Sequence, residues 1–152
     1  MEFSMINGII VSPLEQIVDE RGKVMHMLRS DSPLFINFGE IYFSLINPGA
    51  VKAWKRHLKM TQHFAVPIGK IKLVFFDQRP NSPTSGAIDI MEIGGDNYCL
   101  VKVPPMIWYG FSGIASIPSL IANCTDMAHD PAETERADIN APFIPYKWKQ
   151  PK

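Results

Sequence analysis

Cysteine is nearly absent from this chain. Cys99 and Cys124 are the only two in 152 residues. A chain of this size buries a core without covalent staples, so the pair reads as reduced core residues rather than a disulfide framework. Long apolar runs are missing too, and no stretch approaches the roughly 20 residues that a membrane-spanning helix requires. Charge of one sign is not in excess, since 15 Lys and Arg balance 15 Asp and Glu. That balance argues against nucleic acid or an anionic membrane as partner, although a local cationic pocket can sit inside a neutral total. Residues 1–10 show no basic segment leading into a long apolar one, so no signal peptide is expected and the cytoplasm is the expected location. A sustained helical stripe is also lacking. Only residues 30–38 and 131–137 suggest a short helix or turn.

What is present is β-structure, punctuated often. Thirteen prolines and ten glycines are spread along the chain instead of gathering in a linker. Apolar, β-branched runs predict strands over residues 8–11, 23–28, 40–46, 51–57, 62–67, 70–77, 88–93, 98–103, 107–111 and 119–123. Turn clusters such as Asn47-Pro48-Gly49 and Gly94-Gly95-Asp96-Asn97 separate them. Many short strands at regular spacing predict an all-β sandwich or barrel, one domain over 1–152. The Pro-rich tail 142–152 carries Phe143, Tyr146 and Trp148, which are expected to pack on the barrel or on a partner chain.

The densest chemistry lies in residues 49–57, followed by Gln62 and Gly69. Alternate residues of a strand share a face, so Lys55 and His57 point one way, with Trp54 and Arg56 opposite. The same alternation sets His63 opposite Gln62 and marks it as structural or exposed. The spacing resembles the first cupin motif, with Lys55, His57 and Gln62 at positions that in cupins hold metal ligands. Pro104 to Tyr109 resembles the second motif, with Tyr109 at its His position. An ammonium and an amide are poor ligands for a transition metal, so no metal and no cofactor are expected. The resemblance implies a cupin-type, jelly-roll β-barrel.

Four segments in order resemble the dTDP-4-dehydrorhamnose 3,5-epimerase family over most of the chain. They are Asp19-Glu20-Arg21-Gly22, His57 with Gln62, the run from Asp77 through Gly86, and the run from Val103 through Phe111. The resemblance implies a nucleotide-sugar substrate, a dTDP-linked 4-keto-6-deoxyhexose, used for cell-surface polysaccharide. It implies a homodimer whose N-terminal strand arm crosses to the neighbour, with Arg21 at the nucleotide diphosphate. His57 is the implied base for the acidic hydrogen beside the ketone, which needs a base of pKa near 7, a donor for the oxyanion and an acid on the far side. Lys55 and Tyr109 complete the expected catalytic set. Gln62, Trp54 and Lys72 are expected to bind substrate.

Three family positions depart. The oxyanion Lys falls on Phe64, the acidic Tyr on Ala122, and the Asp that orients the His on Ala141, with Asp138 nearby. Lys55, Lys72, Tyr42 and Tyr109 are the available substitutes, and Lys55 shares a face with His57. The chain is also similar to the nucleotide-sugar 3,4-ketoisomerases, whose two His fall on Lys55 and His57. Three readings therefore stay open: epimerase, ketoisomerase, and a catalytically silent cupin that binds a nucleotide sugar or a partner enzyme.

Overall fold

A computed structural model describes residues 2–149 of the chain. The described regular structure is β1 (Glu2–Phe3), β2 (Ile10–Pro13), β3 (Gln16–Asp19), β4 (Gly22–Met25), β5 (Glu40–Ile46), β6 (Val51–His57) and β7 (Gln62–Ile68), then β8 (Lys70–Asp77), β9 (Ile88–Gly94), β10 (Cys99–Val103), β11 (Ile107–Gly113) and β12 (Ser119–Thr125), and finally a 3-10 turn (Pro131–Glu133) and β13 (Thr134–Arg136). Two antiparallel sheets build the body. One runs β1-β2-β10-β7-β12-β5, the other β13-β6-β11-β8-β9, and β3 with β4 forms a separate hairpin. This is the all-β, jelly-roll arrangement expected of a cupin. Among the described residues no helix is long and apolar enough to cross a membrane.

Period-2 alternation sorts side chains between two apolar clusters. From β8, Leu73 and Phe75 enter the inter-sheet core, together with Phe64, Val101, Ile107, Phe111 and Ile121. Val74 and Phe76 point outward and join Trp54, Trp108, Ile144 and Trp148 in a second cluster. The tail thus covers the outer face of the five-stranded sheet, so every residue of β11 is buried. Each large apolar side chain placed this way contributes about 1.5–3 kcal/mol.

Of the two segments that suggest a short helix or turn, the first takes the turn form and the second is corrected in part. Residues 30–38 form no helix; their backbone makes isolated turns, Ser32 N–H to Arg29 O and Phe35 N–H to Ser32 O. In 131–137 only the first three residues turn, and the remainder extends as β13 against β6, pairing Thr134 with His57 and Arg136 with Lys55. Tertiary strand pairing there overrides the local turn signal.

The run from Asp77 through Gly86 closes on one carboxylate. Asp77 is fully buried and accepts hydrogen bonds from Arg79, Ser82 and Thr84. Arg79 also donates to the Asn7 carbonyl, tying this loop to the N-terminal segment. Burial opposes ionisation of Asp77, but these donors outweigh it and hold the carboxyl well below the usual carboxylate range.

Candidate active site

Between the sheets lies a cavity of about 450 Å³. The six-stranded sheet contributes Tyr42 and Ser44 from β5, Phe64 from β7, and Ile121 and Asn123 from β12. Lys52, Lys55, Tyr109 and Phe111 border it from the five-stranded sheet, with Arg136 from β13. Three of these side chains are cationic and none is a carboxylate. The cavity therefore attracts an anion.

His57 ends β6, buried. It does not itself border the cavity; Lys55, two residues earlier, and Tyr109, whose ring stacks on the imidazole at 6.3 Å and 18°, do. Its Nδ1 hydrogen-bonds the carboxylate of Glu133, which is equally buried. Glu133 sits at the end of the 3-10 turn, which Asp130 caps by accepting the Ala132 N–H at 3.0 Å. The other Glu133 oxygen accepts the backbone N–H groups of Lys59 and Met60, each at 3.2 Å. Burial disfavours the Glu133 anion, but the His57 hydrogen bond and these amides more than offset it, leaving its pKa lowered.

An ionised Glu133 only accepts, so Nδ1 carries the hydrogen and Nε2 keeps its lone pair. Nε2 is buried and has no hydrogen-bond partner among the described residues. Burial depresses the His57 pKa, the Glu133 bond and charge oppose that, and the Lys55 charge adds to it; the net shift is downward. The imidazole is therefore neutral at pH 7, as a general base must be. Lys55 is half-buried, and burial and the adjacent Arg136 charge lower its pKa, with Glu133 opposing.

A second polar group lies on the facing sheet. Asn123 Nδ2 donates to Tyr42 Oη at 2.8 Å and to Gln62 Oε1 at 3.0 Å. Burial raises the Tyr42 pKa, and the Asn123 bond works against the rise. Tyr109 is raised far more, by burial first, then by its neighbour Tyr42.

The structure thus brings together His57, Lys55 and Tyr109, with Gln62 buried behind them. It separates the others. Trp54 borders the cavity, but its indole packs into the outer cluster and donates to the Ile139 carbonyl at 3.3 Å. Lys72 lies on the outer face, its ammonium 5.5 Å from the Tyr146 and Trp148 rings, and does not border the cavity of its own chain. Arg21 is exposed at the β3–β4 turn and paired with Asp19, away from the cavity of its own chain. His63 is buried, its ring nitrogens at the Cys124 and Leu34 carbonyls, which is a structural placement.

The departures also resolve. Phe64 borders the cavity where a Lys was expected. Ala122 pairs with Ala65 on the outward parity of β12, while Asn123, paired with Phe64, is the inward residue. Asp138 is exposed and accepts the Asn140 N–H, and Ala141 is buried without a polar group. Glu133 supplies the orienting carboxylate in their place. Sequence reasoning missed it because Asp130-Pro131-Ala132-Glu133 reads as a helix start, with nothing local to mark its partner. Among the described residues no three His, Cys, Asp or Glu side chains group as a metal site.

No family model matches the chain. It is 35% identical to the probable low-salt glycan biosynthesis epimerase Agl13 of Haloferax volcanii, covering 82% of this chain and 81% of that protein. It is 30% identical to the spore coat polysaccharide biosynthesis protein SpsL of Bacillus subtilis, covering 89% of each. Among solved structures, a dTDP sugar isomerase from Desulfovibrio desulfuricans superposes with a TM-score of 0.95 at 52% identity, over 97% of this chain and 95% of that one. The dTDP-4-dehydrorhamnose 3,5-epimerase of Sulfolobus tokodaii, 21% identical, shares the fold at a TM-score of 0.82, over 97% and 85% of the chains. At 35% identity to a glycan biosynthesis epimerase and 52% to a dTDP sugar isomerase, each over most of its length, the chain belongs to the dTDP-4-dehydrorhamnose 3,5-epimerase family of cupin-type sugar epimerases and isomerases.

Proposed function

We propose that this isomerase acts beside the C4 ketone of a dTDP-4-keto-6-deoxyhexose and inverts C3, C5 or both, in supply of a cell-surface polysaccharide. The observation that carries the reading is the His57–Glu133 pair, with Nε2 left as an unshared base. Nε2 takes the proton from the carbon next to the ketone. The C–H electrons become the enolate double bond, and negative charge moves onto the ketone oxygen. Glu133 stabilises the imidazolium that forms, and Lys55 stands to receive the oxyanion. Tyr109 acts as a positioning residue that holds the imidazole by its face. Lys52 and Arg136 suit the diphosphate of a sugar nucleotide.

The active form is a homodimer in this reading. Arg21 rides on a hairpin that pairs with neither main sheet and carries exposed Ile17, Val18 and Val24. On β5, Ile41, Phe43 and Leu45 form an exposed apolar row. A second copy covering these surfaces would remove them from water and bring Arg21 to a neighbouring cavity. A sugar-nucleotide substrate accords with a cytoplasmic location.

A 3,4-ketoisomerase is the second reading, favoured by the 52% identity to a dTDP sugar isomerase. Against a catalytically silent cupin, Glu133 stands on the imidazole where the family's Asp is missing. Proton NMR of dTDP-4-keto-6-deoxyglucose in deuterated water tests the proposal with wild type and His57→Ala. Deuterium entering at C3 or C5, and lost in the variant, supports it. Ring couplings then tell an inverted carbon from a moved ketone. Saturable binding without exchange would overturn it for this substrate.

A further inference from the structure

Inversion needs more than a base. A proton that leaves one face of the enolate must return to the other, so a donor has to stand across the cavity from the base. The family's acidic Tyr position falls on Ala122, which has no proton to give and points outward.

The hydrogen bonds around Asn123 fix where a donor stands. The backbone N–H of His63 donates to Asn123 Oδ1 at 3.3 Å. A backbone N–H can only donate, so the atom facing it is the amide oxygen, and the amide nitrogen must be on the other side. That nitrogen has two hydrogens, and both are used, on Gln62 Oε1 and on Tyr42 Oη. Tyr42 Oη is therefore an acceptor toward Asn123. Its own hydrogen is committed to no acceptor among the described residues, and Tyr42 borders the cavity. Tyr42 and Asn123 belong to β5 and β12 of the six-stranded sheet, while His57 belongs to β6 of the five-stranded sheet. The other hydroxyls bordering the cavity fit less well. Tyr109 lies on β11, in the same sheet as His57, and Ser44 is a much weaker acid than a phenol.

We infer that Tyr42 is the residue that returns the proton, from the wall opposite His57, with Asn123 as the positioning residue that sets its polarity. The inference rests on the proposed epimerase chemistry and adds the second half of it. As the new C–H bond forms, the Tyr42 O–H bond breaks and the enolate charge passes to the phenolate, which the Asn123 N–H stabilises. Water then restores the phenol, and the imidazolium of His57 releases its proton to solvent. Burial keeps the Tyr42 phenol protonated at neutral pH, so it meets the enolate in the donating form.

Deuterated water separates the two halves. Tyr42→Phe is expected to keep deuterium exchange beside the ketone with retained configuration, because His57 still removes and returns a proton on its own face. Formation of the inverted product should fall by about a hundred-fold. Asn123→Leu should show the same split more weakly, slow inversion with exchange intact, which a merely structural defect would not produce. Thermal melts of both variants establish that they fold. Inversion by Tyr42→Phe at the wild-type rate would overturn the inference and leave the epimerase reading standing. So would loss of exchange together with inversion in a folded Tyr42→Phe, or a product with a moved ketone made equally well by that variant. A wild type that neither exchanges nor converts the substrate would overturn the epimerase reading, and this inference with it.

Discussion

Glu133 holds the imidazole of His57 across 76 positions of chain, both side chains buried and the carboxylate also gripped by the backbone amides of Lys59 and Met60. The pair fixes the tautomer of the base, and it makes the pH behaviour of the enzyme calculable in sign.

Removing that carboxylate should cripple the base. Glu133→Gln cannot hold Nδ1–H as an anion can, and kcat should fall by about 10²–10⁴-fold. Glu133 raises the His57 pKa, so its loss should move the acid limb of kcat/KM to lower pH in whatever activity remains. In wild type that limb is expected below the ordinary value of 6.5, because the net shift of His57 is downward. Between the folded and unfolded pKa the unfolded chain binds more protons at this site, so its contribution to stability rises with pH. A rate profile from pH 4 to 9 checks the activity. Asp138→Ala, on the exposed carboxylate, should leave kcat unchanged.

Lys55 should shift the same limb in the opposite direction. Its charge lowers the His57 pKa, so Lys55→Met should move the acid limb upward. The loss of a donor to the developing oxyanion should cost about 10²–10³-fold in kcat. Steady-state kinetics over pH reads both effects, and an acid limb that fails to rise would separate Lys55 from His57.

Asp77 is expected to carry stability rather than activity. Asp77→Ala strands Arg79, Ser82 and Thr84 and should cost about 3 kcal/mol in urea unfolding. Its folded pKa lies below the ordinary 3.8. The associated stabilisation is therefore complete above the unfolded pKa and is lost as pH falls through the folded one. The variant should lose part of the acid dependence that wild type shows below about pH 4.

Phe43 tests the homodimer. It is 60% exposed at the middle of the β5 row, so Phe43→Asp should leave the fold intact and drive the chain to monomer in analytical ultracentrifugation. Arg21→Ala should leave assembly unchanged and raise KM more than it lowers kcat. A wild type that sediments as a monomer at micromolar concentration would refute the dimer.

The long strand runs, the turns between them and the shared face of Lys55 and His57 were legible in the sequence, whereas the short strands β1, β3 and β13 were not. So was the tail, whose aromatics had to be covered. These follow from alternation along an extended backbone and from the cost of leaving large apolar groups in water, and both are local or compositional rules. The outward placement of Trp54 obeys the same alternation.

What tertiary structure alone decided is which distant residues meet. The register of β13 against β6 sets Thr134 opposite His57 and so delivers Glu133 to the imidazole. The unbroken pairing of β12 with β5, with Ile121 in the core, settles that Asn123 rather than Ala122 faces the cavity. Lys72 is turned onto the tail because β8 spends its other face on the core. Register is a sum over many long-range backbone pairings, and one step of slip exchanges the two faces of a strand. No short window of sequence contains that sum, so the sequence determined the barrel and its base, and the packed sheets determined the carboxylate and the phenol that face it.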